Sequence, residues 1–267
     1  MNKGKITSLI RQLGLMHRID KLKFYADKIK NRSKNKRFLE RNPTVVLPPD
    51  YLIYESFQLD YEKYFIGGKE SAVWLKEELS AFIDIKNLRI LDWGCGPSRI
   101  LRHLPEVFGN NCTFFGVDYN ARSIEWGQRN LAGISFSKNT INPPLPFKDA
   151  DFDVIYGISI FTHLSEANHP LWFDELNRAL KRGGILLLTT QGDAYKAIMT
   201  DKEKAAFENN QLVIRDNVVE GHRVFSAFQP PIFIKKLFES HCDVLLHDAG
   251  KSESWGINQD TWILRKK

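Results

Sequence analysis

Two carboxylates and a glycine turn carry the most specific chemistry in this sequence. Asp92 closes an apolar run, Leu88-Arg89-Ile90-Leu91, and Trp93-Gly94-Cys95-Gly96-Pro97-Ser98 follows it directly. Asp118 comes 26 residues later, at the end of a second apolar run, Cys112-Thr113-Phe114-Phe115-Gly116-Val117. A turn without side chains lets a ligand reach the backbone, and a helical start beyond it (100–104) offers unpaired N–H groups. An acid ahead of that turn repels a pyrophosphate and suits a ligand that is cationic or donates hydrogen bonds. Pro97-Ser98-Arg99 stands where a phosphate loop needs Gly-Lys-Ser/Thr, and Arg99 stands where a dinucleotide fingerprint has its third glycine.

Three residues are candidates to take a proton during catalysis: His163, six residues past Gly157, Asp193 and His222. An imidazole titrates near neutral pH and suits removal of a hydroxyl proton. The cysteines, Cys95, Cys112 and Cys242, are widely spaced and in no metal-ligand pattern, so they are expected as reduced thiols and no metal site is expected.

The elements that must position these residues alternate. After the first strand and its helix, strands are expected at 112–118, 134–137, 152–157 and 185–190, with helices at 120–131 and 166–180 between them, the latter capped by Gly183-Gly184. Strand–helix alternation predicts a parallel sheet. An acid ending the second strand of such a unit typically binds ribose hydroxyls. Residues 191–229 break the alternation with a helical piece (194–208) and a hairpin (212–214 with 223–225), an insertion expected to cap the substrate. Pro230-Pro231 opens a further helix. The last strands, 242–246 and 261–265, are joined too closely for a crossover helix and are expected antiparallel.

Ahead of this body the chain is different. Residues 1–41 carry a net charge of +10, which leaves −4 for the rest of a 267-residue chain of net +6. The high pI is therefore no sign of a nucleic-acid groove on the body. Ile6, Leu9, Ile10, Leu13, Met16, Ile19 and Leu22 recur at helical spacing among basic residues, until Asn31-Arg32-Ser33-Lys34-Asn35-Lys36 ends the pattern. Such an arm (1–48 with its Pro-rich linker) packs on the body, docks on a partner or lies on an anionic membrane. The segment 49–84 is unusually aromatic, with Tyr51, Tyr54, Phe57, Tyr61, Tyr64 and Phe65 ahead of a helix opened by Gly67-Gly68 (69–84); it reads as lid or as core. The main domain is placed at 49–267. No apolar run is long enough to span a membrane, and the N-terminus lacks a signal-peptide pattern, so a cytoplasmic protein is expected, peripheral on the inner membrane face if the arm binds lipid.

Asp92-Trp93-Gly94-Cys95-Gly96-Pro97-Ser98 resembles motif I of class I S-adenosylmethionine-dependent methyltransferases. Three further pieces resemble that family in its order: Gly116-Val117-Asp118-Tyr119-Asn120; Pro144-Leu145-Pro146-Phe147 leading to Asp153-Val154-Ile155-Tyr156-Gly157; and Asn177-Arg178-Ala179-Leu180-Lys181-Arg182-Gly183-Gly184 leading into strand five. The resemblance covers residues 70–265, with Ser98 where many members have glycine. It implies a Rossmann-like α/β three-layer sandwich around a mostly parallel seven-stranded sheet, its last strand pair antiparallel, with a helical N-terminal extension and an insertion after strand five. It implies S-adenosylmethionine as cofactor and methyl transfer as activity. Asp92, Gly94, Cys95 and Gly96 would hold the methionyl part, Asp118 the ribose, Tyr119, Asn139 and Thr140 the adenine, and Gly157 and Ile158 the site's edge at strand four. Asn142-Pro143-Pro144-Leu145 imitates the motif of amine methyltransferases but precedes strand four and lacks the aromatic residue. Asp50-Tyr51-Leu52-Ile53-Tyr54-Glu55, Phe161-Thr162-His163-Leu164, Phe225-x-x-Phe228-x-Pro230-Pro231 and Gln259-Asp260-Thr261-Trp262 resemble a subgroup associated with bacterial surface polysaccharides, which implies O-methylation of a sugar. Small-molecule and RNA acceptors, and a catalytically silent binding protein, are the alternatives; no RNA-binding module is legible and no DNA partner is expected.

Overall fold

The computed structural model describes residues 16–57, 59–109, 111–215, 218–254 and 256–267. The start of the expected amphipathic pattern, Ile6 to Leu13, lies outside the described residues. The described chain folds as two compact units, residues 17–139 and 140–267.

The first unit begins with α1 (Met16–Arg41), α2 (Asp50–Phe57) and α3 (Tyr61–Ser80). The polar run 31–36, expected to end the arm's helix, is helical. Its asparagines are used in tertiary contacts: Asn31 and Asn35 donate to the Leu59 carbonyl, and Asn35 Oδ1 accepts from the Tyr61 N–H at 3.1 Å. Phe38, one turn on, is 1% exposed. Polarity on one face of a helix does not stop it when that face meets an irregular segment whose backbone needs partners. Gly67-Gly68, expected to open a helix, sit inside α3, which starts earlier because Asp60 caps it by accepting from the Lys63 N–H. Then come β1 (Arg89–Trp93), a 3-10 turn (Leu101–His103) that leads into the short α4 (Leu104–Phe108), β2 (Thr113–Asp118), α5 (Ala121–Asn130) and β3 (Ile134–Lys138). Strands β1, β2 and β3 are parallel, with Asp92 opposite Gly116 and Asp118 opposite Lys138.

The second unit holds β4 (Phe152–Gly157), a 3-10 turn (Phe161–His163), α6 (Asn168–Ala179) and β5 (Leu180–Thr190). Gly183-Gly184 does not cap α6 as expected. It lies within β5, at a register irregularity opposite Phe152–Val154, and Gly183 takes a φ of +75°. The expected helix 194–208 is split into a 3-10 turn (Asp193–Ile198) and α7 (Asp201–Glu208). A capping box between Thr200 and Glu203 starts a new helix there. The expected hairpin forms as β6 (Val213–Arg215) and β7 (Ser226–Phe228), shifted toward the C-terminus. After α8 (Pro231–Phe238) come β8 (Cys242–Asp248), the small pair β9 (Ser252–Glu253) and β10 (Gly256–Ile257), and β11 (Asp260–Lys266). Strand β11 runs antiparallel to both β5 and β8, as the short connection between the last two long strands requires.

Among the described residues one sheet has seven strands, in the order β3-β2-β1-β4-β5-β11-β8. Its β5 is buried from Gly184 to Thr190, which accounts for the unbroken apolar run Ile185–Leu188. Phe173 on α6, Phe238 on α8 and Trp262 on β11 pack ring to ring beside it in the second unit. The fold is thus a Rossmann-like, mostly parallel α/β sheet with an antiparallel end.

Candidate functional site

In the first unit the carboxyl ends of β1 and β2 meet at the glycine turn. Gly94, Gly96 and Ser98 all have positive φ (77°, 48° and 61°), so this stretch turns sharply three times. The N–H groups of Gly94 and Cys95 both donate to the Val117 carbonyl at 2.9 Å, and the Gly96 N–H donates to Asp118 Oδ2 at 2.8 Å. Asn120 completes the arrangement by donating its N–H to Asp118 Oδ1 at 2.7 Å. Serine at position 98 adopts the left-handed conformation in which glycine is at ease, and it is fully buried.

The turn is held from outside by α3. Tyr64 donates its hydroxyl to the Pro97 carbonyl, and Arg99 Nη1 donates to the Gly67 carbonyl and Ser71 Oγ. Gly68 lies so close that a Cβ there would meet the Arg99 oxygen at 2.2 Å. Gly68 is therefore the seat for the turn, and Gly67 supplies the carbonyl that Arg99 holds. The pair's chemical signal was in the sequence, but its purpose depended on knowing which backbone comes against it.

Asp118 is 8% exposed, and burial pushes its carboxyl above the ordinary aspartate range against the pull of the two N–H donors. None of the ion pairs among the described residues includes it. A carboxylate has about four acceptor positions; two are used by backbone, and two remain for a vicinal diol. Asp92 is 5% exposed. The Cys95 thiol is buried, and its pKa is pushed well up by burial and then by the charges of Asp92 and Asp118, so it is not a nucleophile. A Cβ on Gly96 would meet no atom within 4 Å, so open space lies beside this backbone. These features fit a ribose-bearing, cationic cofactor.

Tyr119 follows Asp118, is 44% exposed, and has its hydroxyl pushed up to about 12 by burial and by the neighbouring Asp118 and Glu55. Glu55 on α2 accepts from Asn120 Nδ2 at 3.4 Å. Tyr54 is core, whereas Tyr64, also buried, reaches the turn through its bond to Pro97. Asn139 is buried at the end of β3, its N–H donating to the Asp118 carbonyl.

In the second unit Thr140 donates its hydroxyl to the Asn142 carbonyl, and Gly157, buried, and Ile158, half-buried, stand at the end of β4. Ser159 next to them has a φ of +67° and is locked by polar partners from β5 and the segment before β11: its N–H donates to Thr189 Oγ1, and Gln259 Nε2 donates to its hydroxyl at 2.6 Å. Sequence reasoning missed Ser159; only its conformation marks it.

His163 is half-buried, and its Nδ1 lies 2.7 Å from the Phe225 carbonyl. A carbonyl can only accept, so Nδ1 carries the proton and Nε2 keeps a lone pair. Burial lowers its pKa below the usual value, so the ring is neutral at pH 7. Segment 220–225 is tied around it. The Gly221 N–H donates to the His163 carbonyl, and Glu220 Oε1 accepts from the Ser165 N–H and from Asn168 Nδ2. His222 belongs to this same segment, its carbonyl accepting from the Phe225 N–H at 2.8 Å, so the structure brings these two candidates together. Asp193 is placed otherwise: it is exposed and pairs with Lys196 at 2.7 Å. His169, on α6, is fully buried with both ring nitrogens engaged, Nδ1–H to the Ser165 carbonyl and Nε2 from Gln229.

Residues 90–184 match a family described as "Methyltransferase domain". A stretch of 102 residues is 26% identical to the "Probable fatty acid methyltransferase" of Mycobacterium tuberculosis, covering 37% of this chain and 23% of that one. A stretch of 142 residues is 27% identical to the demethylmenaquinone methyltransferase of Lactococcus lactis, covering 49% and 54%. The chain thus spans about half the length, or less, of these curated relatives. Among solved structures, magnesium protoporphyrin IX methyltransferase from Synechocystis, with bound SAH, superposes with a TM-score of 0.54 at 16% identity, over 80% of this chain and 91% of that one. The chain therefore has the fold of class I S-adenosylmethionine-dependent methyltransferases, its glycine turn fits their cofactor, and its residues 90–184 are similar to a methyltransferase domain.

Proposed function

We propose that the protein transfers a methyl group to a hydroxyl, with His163 as general base and a sugar hydroxyl of a glycan as acceptor. The tautomer of His163 carries this reading. Its Nδ1–H is committed to the Phe225 carbonyl, and its unprotonated Nε2 is the atom that takes a hydroxyl proton. S-adenosylmethionine supplies a methyl group already activated by a sulfonium, so the protein has to align the acceptor and remove one proton. Asp118 would receive the ribose hydroxyls on its two spare acceptor positions, and Asp92 would face the cationic end. The Gly94–Gly96 backbone would lie against the methionyl part. Tyr119, Asn139 and Thr140 would border the adenine, and Gly157 and Ile158 the methyl-bearing edge.

The glycan acceptor is supported by the resemblance of segments 50–55, 161–164 and 225–231 to polysaccharide-associated methyltransferases. The named acceptors of the two curated relatives, a fatty acid and demethylmenaquinone, favour a second reading, an apolar small molecule. Calorimetric titration with S-adenosylhomocysteine tests the enzyme reading against a silent binding protein: absence of binding sinks it. A screen with labelled cofactor over glycans, quinones, fatty acids, phenols and RNA then separates the acceptors. His163→Ala should bind the cofactor product as the parent does and lose turnover by at least about 100-fold; unchanged turnover removes His163 from the chemistry.

A further inference from the structure

We propose that the outward face of α1 is a docking surface for an anionic lipid membrane. The proposal goes beyond methyl transfer and stands without it. Between residues 18 and 37 every exposed charged residue is Lys or Arg. The two acids of that stretch are turned the other way: Asp20 is 8% exposed beside the Tyr54 hydroxyl, and Asp27 is half-buried. The inward side of the helix is occupied by Asp20, Asn35 and Phe38, so α1 has a definite outside.

On that outside, large apolar side chains stand in water. Leu22 is 69% exposed, Tyr25 52% and Ile29 78%. Their spacing of three and four residues puts them on one stripe, about 10 Å from Leu22 to Ile29. Arg18 and Arg32 lie along the same stripe and Lys21 flanks it; Lys36 continues it and pairs at 3.7 Å with Glu40, the exposed acid at its end. An apolar ridge inside a ring of long basic side chains is the chemistry of a helix lying in the headgroup region: aliphatic groups enter the acyl boundary, and cations meet anionic headgroups. A nucleic acid would use the charge but leave Leu22 and Ile29 in water. No described helix is long and apolar enough to cross a membrane, so the binding is interfacial.

The test is co-sedimentation of the full chain with vesicles of phosphatidylcholine alone or with about one-third phosphatidylglycerol, at about 0.1 M salt. Binding is expected only to the anionic vesicles. Leu22→Gln with Ile29→Gln should weaken it about tenfold, and Arg18→Glu with Arg32→Glu and Lys36→Glu at least as much. Lys86→Glu, an exposed charge elsewhere, should leave it unchanged. These positions are on the surface, so the variants should keep the parental melting temperature and cofactor affinity, which shows that loss of binding is not loss of fold. Absence of binding, equal binding to neutral vesicles, or full binding by the α1 variants overturns the proposal. So does a dimer dispersed by Leu22→Gln with Ile29→Gln, or an RNA homopolymer held by this face in place of vesicles.

Discussion

Gly67 and Gly68 are adjacent in one helix, yet alanine at the two positions should act with opposite sign. In a helix interior, Gly→Ala gains about 1 kcal/mol from reduced freedom of the unfolded chain and better propensity. A Cβ on Gly67 meets nothing within 4 Å, so Gly67→Ala should realise that gain. A Cβ on Gly68 falls 2.2 Å from the Arg99 oxygen and 3.1 Å from the Arg99 carbonyl carbon. Ordinary contact then needs a shift of about 1 Å between α3 and the turn. Neither side yields easily. Tyr64 holds Pro97 from the same helix, and Arg99 holds the Gly67 carbonyl. Overpacking of this kind costs about 1–3 kcal/mol, and here it acts on backbone, so the upper part of the range applies and exceeds the propensity gain. Urea unfolding should show Gly67→Ala more stable than the parent and Gly68→Ala less stable, with melting temperatures separated by roughly 2–4 °C per kcal/mol. Calorimetric titration with S-adenosylhomocysteine should show affinity retained in the first variant and weakened in the second, because the turn moves with Arg99. If Gly68→Ala is as stable as Gly67→Ala, the close approach is not real; if it is less stable but binds normally, α3 does not seat the turn.

Gly96→Ala should cost only about 1 kcal/mol of stability, the strain of a left-handed residue, since no protein atom opposes its Cβ. Its methyl group would occupy the open space beside the turn, so S-adenosylhomocysteine affinity should fall at least about tenfold by calorimetry; unchanged affinity argues against ligand contact at this backbone. Acid should destabilise the protein before its carboxylates titrate. Burial lowers His169 and His103 to about 4, below the 6.5 of the unfolded chain. The folded state then binds fewer protons, so their contribution is complete above pH 6.5 and is lost as pH falls toward 4. For His169, fully buried, the loss by pH 4 is up to about 3 kcal/mol. Urea unfolding between pH 7.5 and 4.5 checks this, and stability that does not fall through that window refutes it.

The alternation of strands and helices was legible because buried parallel strands leave uninterrupted apolar runs, as in Ile185–Leu188. The pair of acids at Asp92 and Asp118 was legible because each ends such a run beside glycine. Element limits were less so, and the reasons are particular. The asparagines at 31 and 35 signal a helix end only if their side chains lack tertiary partners, and both hold the Leu59 carbonyl. Gly183-Gly184 signals a helix cap only if no strand partner absorbs it, and β4 does so at a register irregularity.

By itself the sequence determined the order of elements, the glycine turn and the two acids, since these depend on local geometry and on residues close in the chain. Tertiary structure alone decided which histidine keeps a basic nitrogen. The proton on His163 is placed by the carbonyl of Phe225, 62 residues away, while His169 spends both nitrogens on internal partners. It also decided which side of α1 is outside. An amphipathic pattern tells that a helix has two faces; only the partners of Asp20, Asn35 and Phe38 tell that the acids are turned in and that Leu22 and Ile29 are left out.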